Sequence, residues 1–352
     1  MTSVRRACVQ ERARYHDKMQ NFWTTLSKPI FALAPMADVT DTAFRRIIAS
    51  CGKPNVFFTE FVSADGLYHT REQQKLPDEQ NPLMRDLLFS DGEHPIVAQL
   101  FSAHPDMLAY GAALAADMGF DGVDINMGCP DRSIEKQGAG AALMKDTARA
   151  RTLIRAAKHG VRERIPVSVK TRIGYNTNEL TTWLPELLAE EPAAITVHAR
   201  SRKELSKVPA RWEHVAEAVE IRDRVQGKDS TTLVLGNGDL TDLSDARTKA
   251  KETGADGAML GRAIFGNPWL WSNRKREDIL LSERLGVLSK HCTLFETLVT
   301  HKSFAVMKKH FKAYVTDFDG AKELRMGLMQ CNDAACVTHT INQFLATTTE
   351  QH

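Results

Sequence analysis

The sequence lacks the cysteine spacing of a metal site or of a disulfide-rich domain. It contains no Cys-X-X-Cys pair, and its six cysteines are scattered over 352 residues, at Cys8, Cys51, Cys129, Cys292, Cys331 and Cys336. This spacing argues against a zinc site and against a disulfide scaffold, and it favours a reducing compartment. We therefore expect a cytoplasmic protein that binds no metal.

Long hydrophobic runs and a strong net charge are also missing. No apolar run approaches 18 residues, so no transmembrane helix is expected. Lys and Arg total 46 against 44 Asp and Glu, so any face that binds nucleic acid must be local. Residues 1–28 are expected to form a basic tail and lead-in. Their arginines resemble those of a transit segment, but Glu11 and Asp17 interrupt the pattern and favour a disordered tail.

Eight short apolar runs recur along the chain, rich in Val, Ile and Phe and without strict polar alternation. They lie at 31–36, 56–62, 95–101, 122–128, 166–174, 193–200, 232–240 and 257–266. Such runs are typical of parallel strands buried on both faces. Segments between them, such as 42–50, 105–118 and 147–159, have helical apolar spacing. The pattern predicts an α/β fold, a (β/α)8 TIM barrel over residues 29–272. A doubly wound sheet is the alternative, but no glycine fingerprint opens a strand-to-helix turn.

The strand pattern stops near residue 277. Segments 278–290, 296–315, 321–329 and 334–345 have helical patterns, which predicts a C-terminal all-helical domain over residues 277–348. Basic clusters occur at the junction, in Arg274-Lys275-Arg276, and within the domain, in Lys308-Lys309-His310. These clusters are either solvated faces or contacts for nucleic acid.

Chemically reactive residues fall where the predicted strands end. In a barrel of this type those ends form the active site. Cys129 follows the fourth strand in Asn126-Met127-Gly128-Cys129-Pro130, a loop setting that favours an exposed thiol over a buried one. Lys170 ends an apolar strand and needs an anion, either a cofactor or Asp124 in a salt bridge. His198 lies at the end of the sixth strand, as a cofactor contact or as a core histidine.

Two glycine-bearing turns after the seventh and eighth strands predict a phosphate site. Gly238 and Gly261 let backbone N–H groups approach a phosphate, and Arg262 adds a bidentate charge. The glycines alone would also fit tight barrel turns. A phosphate site together with Lys170 and Gln99 favours FMN over FAD, and Cys129 is then placed to serve as a general acid.

The motifs together resemble the tRNA-dihydrouridine synthase family. The matching segments, in order, are Ala34-Pro35-Met36-Ala37, Ala98-Gln99-Leu100, Asn126-Met127-Gly128-Cys129-Pro130, Lys170-Thr171-Arg172-Ile173-Gly174, His198-Ala199-Arg200, Gly236-Asn237-Gly238-Asp239, Gly261-Arg262, Lys309-His310 and Gly320-Ala321-Lys322-Glu323-Leu324-Arg325. The resemblance implies an FMN-dependent enzyme that takes hydride from NADPH, or NADH, and reduces specific uridines in tRNA at C5=C6. It implies that Cys129 protonates C5, and that the helical domain binds tRNA.

The resemblance also implies a role for each site residue. The residues expected to bind FMN are Pro35, Met36, Ala37, Gln99, Lys170, His198, Asn237, Gly238, Asp239, Gly261 and Arg262. Asn126 would hold the uracil, and the expected RNA contacts are Arg172, Arg200, Arg202, Lys309 and His310. Departures from the common family pattern are Asp38, Ala199 and 206–211, near the predicted substrate mouth. We expect a monomer. Two alternative functions remain open: an FMN-dependent barrel that reduces a free pyrimidine, and an RNA-binding protein with an inactive barrel.

Overall fold

The computed structural model of the protein describes residues 21–272 and 274–349. The predicted basic tail up to residue 20, including Cys8, lies outside the described residues. Within the described part, the predicted architecture is confirmed: a parallel barrel surrounded by helices, followed by C-terminal helices.

The barrel strands all run parallel and close on themselves. Their order is β1-β9-β8-β7-β6-β5-β4-β2, and a bridge between Ala32 and Val56 closes the ring. The strands are β1 Ile30–Leu33, β2 Phe57–Phe58, β3 Val62–Ser63, β4 Ile96–Phe101, β5 Gly122–Asn126, β6 Val167–Arg172, β7 Ala194–His198, β8 Leu233–Asn237 and β9 Gly257–Leu260. Closure excludes the doubly wound sheet, whose edges stay open.

The second predicted strand is split into two short pieces. Both β2 and β3 pair with β4, and the ladder is interrupted between them. There the Thr59 hydroxyl, instead of a backbone carbonyl, accepts the Gln99 N–H at 3.1 Å. The interruption leaves Glu60 and Phe61 near the mouth of the barrel.

An apolar plug closes the barrel at the N-terminal ends of its strands. Phe22 and Trp23, in a short 3-10 helix at Phe22–Thr25, join the cluster of inward-facing strand residues that includes Ile30 and Met259. Gly122 begins β5 beside the Phe22 ring, which identifies this end as the bottom. Part of the predicted lead-in is therefore packed core.

Nine helices of the described chain accompany the strands. They are α1 Thr42–Cys51, α2 Ala64–Tyr68, α3 Pro82–Asp86, α4 Pro105–Met118, α5 Arg132–Lys136, α6 Thr147–Val161, α7 Leu180–Leu188, α8 Glu213–Gln226 and α9 Leu243–Thr253. The bounds of α4 equal those predicted, because Pro105 starts the helix and Gly119, at φ 89°, ends it in the left-handed conformation. Short 3-10 or π segments lie at His69–Gln73, Asp78–Gln80, Asp91–Glu93, Gly140–Lys145, Arg262–Ile264, Arg276–Asp278 and Phe304–Met307.

The C-terminal part is helical, but its first two predicted helices are wrong in extent. The observed helices are α10 Leu281–Leu298, α11 Lys308–Tyr314, α12 Ala321–Leu328 and α13 Ala334–Thr349. The helix predicted over 296–315 is interrupted at residues 299–303, which form a non-helical break. Lys302 in this break donates to both carboxylate oxygens of Glu60 in the barrel, at 2.9 and 2.8 Å, which holds the break against the barrel.

The helical part packs against the barrel at the C-terminal ends of the strands. The His291 ring of α10 stacks on Phe44, in the first turn of α1, with centroids 4.9 Å apart. Gly266, just beyond β9, lies against the backbone of Ala313 in α11. The apolar core continues from the barrel into these helices without interruption.

One disulfide lies in the helical part, a single bridge rather than the disulfide scaffold that the cysteine spacing argues against. Cys331 and Cys336 are joined, with Cα atoms 5.4 Å apart. The turn between α12 and the start of α13 brings the two residues together, which a search for Cys-X-X-Cys pairs cannot detect. No helix of the described chain combines the length and apolar character needed to cross a membrane.

Candidate active site

A cavity of about 290 Å³ opens at the C-terminal ends of the barrel strands. It gathers residues from the ends of almost all strands. Those that line it are Ala34, Pro35, Met36, Phe61, Gln99, Asn126, Gly128, Cys129, Pro130, Lys170, Arg172, His198, Arg200, Ser206, Asn237, Gly238, Asp239, Leu240, Met259, Gly261 and Arg262. Polar groups from distant parts of the chain thus meet in one concave site.

Cys129 is a half-buried free thiol on this cavity. Its backbone N–H donates to Oδ1 of Asn126 at 2.9 Å, and its carbonyl accepts the Ala141 N–H at 2.9 Å. Gly140, at φ 60°, makes this approach possible, since a Cβ there would lie 2.8 Å from the Cys129 carbonyl oxygen. Burial raises the pKa of the Cys129 thiol, with the Asp131 charge contributing, although Arg172 and Lys170 act against it. The thiol therefore keeps its proton at neutral pH.

Side-chain amides connect Cys129 to a buried carboxylate in the barrel. Nε2 of Gln99 donates to Oδ2 of Asp124 at 2.7 Å, and Oε1 of Gln99 accepts from Nδ2 of Asn126 at 3.2 Å. Ser168 donates to the other oxygen of Asp124 at 2.7 Å. Burial raises the pKa of Asp124 to about 6, against hydrogen bonds from Ser168 and Gln99 that favour the charged form. Because this value is below 7, most of the group is still ionised at neutral pH.

Lys170 and His198 form a polar wall of the cavity. Lys170 donates to Oδ1 of Asn237 at 3.1 Å, while the oxygens of Asp124 accept from Gln99 and Ser168. The salt bridge with Asp124, which was the alternative to a cofactor contact, is thus replaced by other partners. Burial, reinforced by Arg172, lowers the pKa of Lys170 to about 8. Burial also lowers the pKa of His198 well below its ordinary value. Because Nη1 of Arg200 can only donate to Nε2 of His198, the imidazole proton is on Nδ1.

Next to His198, arginines and glycines line one end of the cavity. Arg262 donates to Oδ1 of Asp239 at 2.5 Å, and Arg200 pairs with the other Asp239 oxygen. These hydrogen bonds and charges lower the pKa of Asp239, with Arg200 the largest cause. Gly238 and Gly261 leave their backbone at this end without side chains. Two guanidinium groups against one carboxylate leave net positive charge.

Several residues predicted to contact RNA are placed differently. His310 is 0% exposed and packs on Phe44 and His291, so the prediction that it touches tRNA is wrong. Arg172 is 8% exposed and donates to the carbonyl of Gly128 at 2.7 Å, which ties it to the Cys129 loop rather than to the entrance. Arg200, 2% exposed, is likewise internal.

The remaining predicted contacts lie at or outside the cavity rim. Arg202 pairs with Glu135 and covers the Tyr175 ring, and Lys309 is exposed on α11. Ala37 is exposed and does not line the cavity, unlike the other predicted cofactor residues. Sequence reasoning missed Phe61 and Leu240, which lie on irregular segments without a motif. Ser206, which begins the segment expected near the substrate mouth, also lines the cavity. No cluster of His, Cys, Asp and Glu suited to a metal ion occurs within 21–272 and 274–349.

The sequence matches the family model for dihydrouridine synthase over residues 32–349. The chain belongs to the dihydrouridine synthase family. It is 38% identical over 330 residues to a probable tRNA-dihydrouridine synthase of Staphylococcus epidermidis, covering 93% of this chain and 97% of that one. It is 37% identical over 328 residues to the probable tRNA-dihydrouridine synthase 2 of Bacillus subtilis, covering 92% and 97%. As a member of this family, the protein is a flavin-dependent oxidoreductase.

The fold is shared more widely than the sequence. Histamine dehydrogenase from Rhizobium sp. 4-9 superposes with a TM-score of 0.50 at 15% identity, covering 75% of this chain and 48% of that chain. This likeness concerns the barrel architecture alone.

Proposed function

We propose that this dihydrouridine synthase uses FMN and NADPH to reduce the C5=C6 bond of specific uridines in tRNA, with Cys129 as the general acid. The observation that carries the proposal is a protonated thiol on the same cavity as a polar Lys170 and His198 wall and a cationic glycine site. The family supplies the reaction class, and the cavity supplies the groups that the reaction needs.

The chemistry of the lining residues fits FMN. Gly238, at φ 131°, has no room for a side chain, since a Cβ would lie 2.7 Å from that of Ala210, and Gly261 also leaves its backbone open to the cavity. Together with Arg262 these glycines would hold a phosphate. Lys170, His198 and Gln99 would hold the polar edge of the ring system.

Side chains of the protein would donate the proton and stabilise the negative charge that develops during the reaction. FMN, when bound, would supply the hydride that adds to C6 of the uracil ring. Cys129 would donate its proton at C5, for which a thiol with a raised pKa is the correct form. Lys170 carries positive charge near the cavity, which stabilises negative charge that develops during the addition.

The C-terminal helices lie beside the cavity mouth and would bind the tRNA. Reaching a base in folded RNA requires flipping it out, which costs a few kcal/mol. Lys309 on α11, and Arg202 at the rim, are placed for backbone contacts that offset this cost. With His310 and Arg200 buried, we assign fewer direct RNA contacts than the sequence motifs suggest.

The test is to incubate the purified flavin-loaded protein with NADPH and unmodified tRNA, and to measure dihydrouridine in the tRNA by mass spectrometry. Free uridine and uracil serve as parallel substrates. The proposal expects dihydrouridine in tRNA and little reaction with the free compounds. Equal reduction of free uracil would instead favour a small-molecule reductase, and no reduction of any of them would contradict the assigned reaction.

A further inference from the structure

The Asp124 carboxylate ends a continuous hydrogen-bond chain that leads to Cys129. From Asp124 the chain passes to the Gln99 amide, then to the Asn126 amide, and then to the Cys129 backbone N–H, with donor–acceptor distances of 2.7, 3.2 and 2.9 Å. Asp124 is fully buried, as is Gln99, and Asn126 is 6% exposed. Water therefore has little access to the chain and cannot readily replace its members.

An amide side chain can turn by 180° and exchange its donor with its acceptor, so both amides need a fixed orientation. An ionised carboxylate is an acceptor only, which requires Gln99 to present Nε2 to Asp124 and therefore Oε1 to Asn126. Asn126 must then present Nδ2 to Gln99, which leaves its Oδ1 for the N–H groups of Gly128 and Cys129. The Asp124 charge at one end and the two backbone N–H donors at the other thus require the same direction for every hydrogen bond in the chain.

We propose that Asp124 is a positioning residue, which holds Cys129 in place by fixing the orientation of the Gln99 and Asn126 side-chain amides. This inference rests on the proposed function, in which Cys129 donates a proton and must therefore be held in place. Asp124 does not itself contact the thiol. Its burial and its ionised state at neutral pH agree with the role, since the pKa of about 6 keeps it an acceptor there.

The alternative is that Asp124 merely stabilises the barrel, and Ser168 provides the comparison. Ser168 donates to Oδ1 of Asp124, whereas Gln99 donates to Oδ2. A Ser168→Ala substitution therefore removes one hydrogen bond from the same carboxylate and leaves the amide chain intact. Asp124→Val removes the acceptor with little change of size. Asp124→Asn keeps an oxygen for Gln99 and can turn its amide N–H groups towards the Ser168 hydroxyl.

The first measurement is the alkylation of Cys129 by iodoacetamide in the protein without cofactor, with half-buried Cys51 as the reference thiol in the same sample. Peptide mass spectrometry gives the Cys129:Cys51 ratio. In Asp124→Val the ratio should rise roughly twofold to tenfold, the effect of losing about one hydrogen bond that holds the loop. The ratio should stay near that of the native protein in Asp124→Asn and Ser168→Ala. Gln99→Met interrupts the same hydrogen-bond chain at its next member and should raise the ratio as Asp124→Val does. It tests the inference if Asp124→Val does not fold.

The second measurement separates the two half-reactions in the flavin-loaded protein. In Asp124→Val the reaction with tRNA should slow on the order of a hundredfold, as expected when a reacting group is misplaced by about 1 Å. Reduction by NADPH should slow much less, because it depends on Gln99 near the flavin but not on Cys129. An unchanged alkylation ratio in both Asp124→Val and Gln99→Met would overturn the inference. Failure of the native protein to make dihydrouridine would contradict the proposed function instead, and the alkylation ratio does not depend on that outcome.

Discussion

Nζ of Lys302 lies 2.8 Å from Oε2 of Glu60, and this ion pair joins the C-terminal helices to the mouth of the barrel. Asp38 and Asp86 lie at 3.3 and 3.4 Å from the same Nζ atom. Asp38 is also where the sequence departs from the common family pattern. Its backbone is left-handed, at φ 55°, and its N–H donates to Glu60. The substitution therefore adds a carboxylate to this contact.

Replacing Lys302 should destabilise the protein. Lys302→Met leaves the buried Glu60 carboxylate beside two further carboxylates without their cation, which costs about 3–5 kcal/mol of the free energy of unfolding. Urea denaturation at pH 8 measures this loss, and the loss should shrink at pH 5, where Glu60 takes up a proton. Lys228→Met changes an exposed lysine at the bottom of the barrel and should have almost no effect. Equal stability of the two variants would contradict the role of the ion pair.

Glu60 should make stability depend on pH in a specific direction. Burial raises the pKa of Glu60 from 4.5 to about 7, despite the opposing charge of Lys302. Between these two values the folded protein retains a proton that the unfolded chain releases, so the free energy of unfolding falls as pH rises through this window. Relative to Glu60→Gln, the native protein should lose about 3 kcal/mol between pH 4 and pH 8. Parallel pH profiles for the two proteins would show that the pKa of Glu60 is not raised.

Replacing Gly236 or Gly286 by alanine should change the stability of the protein in opposite directions. A Cβ at Gly236, in β8, would overlap the Trp212 ring, so Gly236→Ala should cost about 1–3 kcal/mol through overpacking. Gly286 lies exposed within α10 with open space around it, so Gly286→Ala should add roughly 0.5–1 kcal/mol. Thermal unfolding of both variants and of the native protein measures these changes in stability. A destabilised Gly286→Ala protein would conflict with the position of that residue.

The surface of α11 should contribute to tRNA affinity. Lys309→Glu should weaken tRNA binding and reduce the slope of log affinity against log salt by about 1, because one phosphate contact is lost. Lys228→Glu makes the same change of charge at the far end of the barrel and serves as the matched control. Filter binding over a salt series gives both quantities. Identical affinities of the two variants would argue against binding at α11.

The fold and most of the cavity could be predicted from sequence because both follow from local patterns. Buried parallel strands require continuous apolar runs, and the polar residues that end them converge wherever the barrel closes. Gln99, Lys170 and Asn237 were predicted in this way. The split between β2 and β3 was not, because it depends on a hydrogen bond from the Gln99 N–H to the Thr59 hydroxyl, which no sequence pattern indicates.

Exposure was the property that sequence predicted least well. His310 lies within a basic cluster, yet it faces Phe44 and His291 across the junction between the helices and the barrel. Arg172 belongs to a family motif, yet its guanidinium donates to carbonyls of neighbouring loops. In both cases the partner is distant along the chain, so the charge pattern alone gave no sign of burial.

The role of Cys129 as proton donor is tested most directly by Cys129→Ala in the flavin-loaded protein. Reduction by NADPH and dihydrouridine formation in tRNA are measured separately, with Cys51→Ala as the control thiol variant. We predict unchanged reduction by NADPH and a loss of dihydrouridine formation on the order of 10²- to 10⁴-fold, the usual contribution of general acid catalysis. Dihydrouridine formation at the native rate in Cys129→Ala would contradict this account.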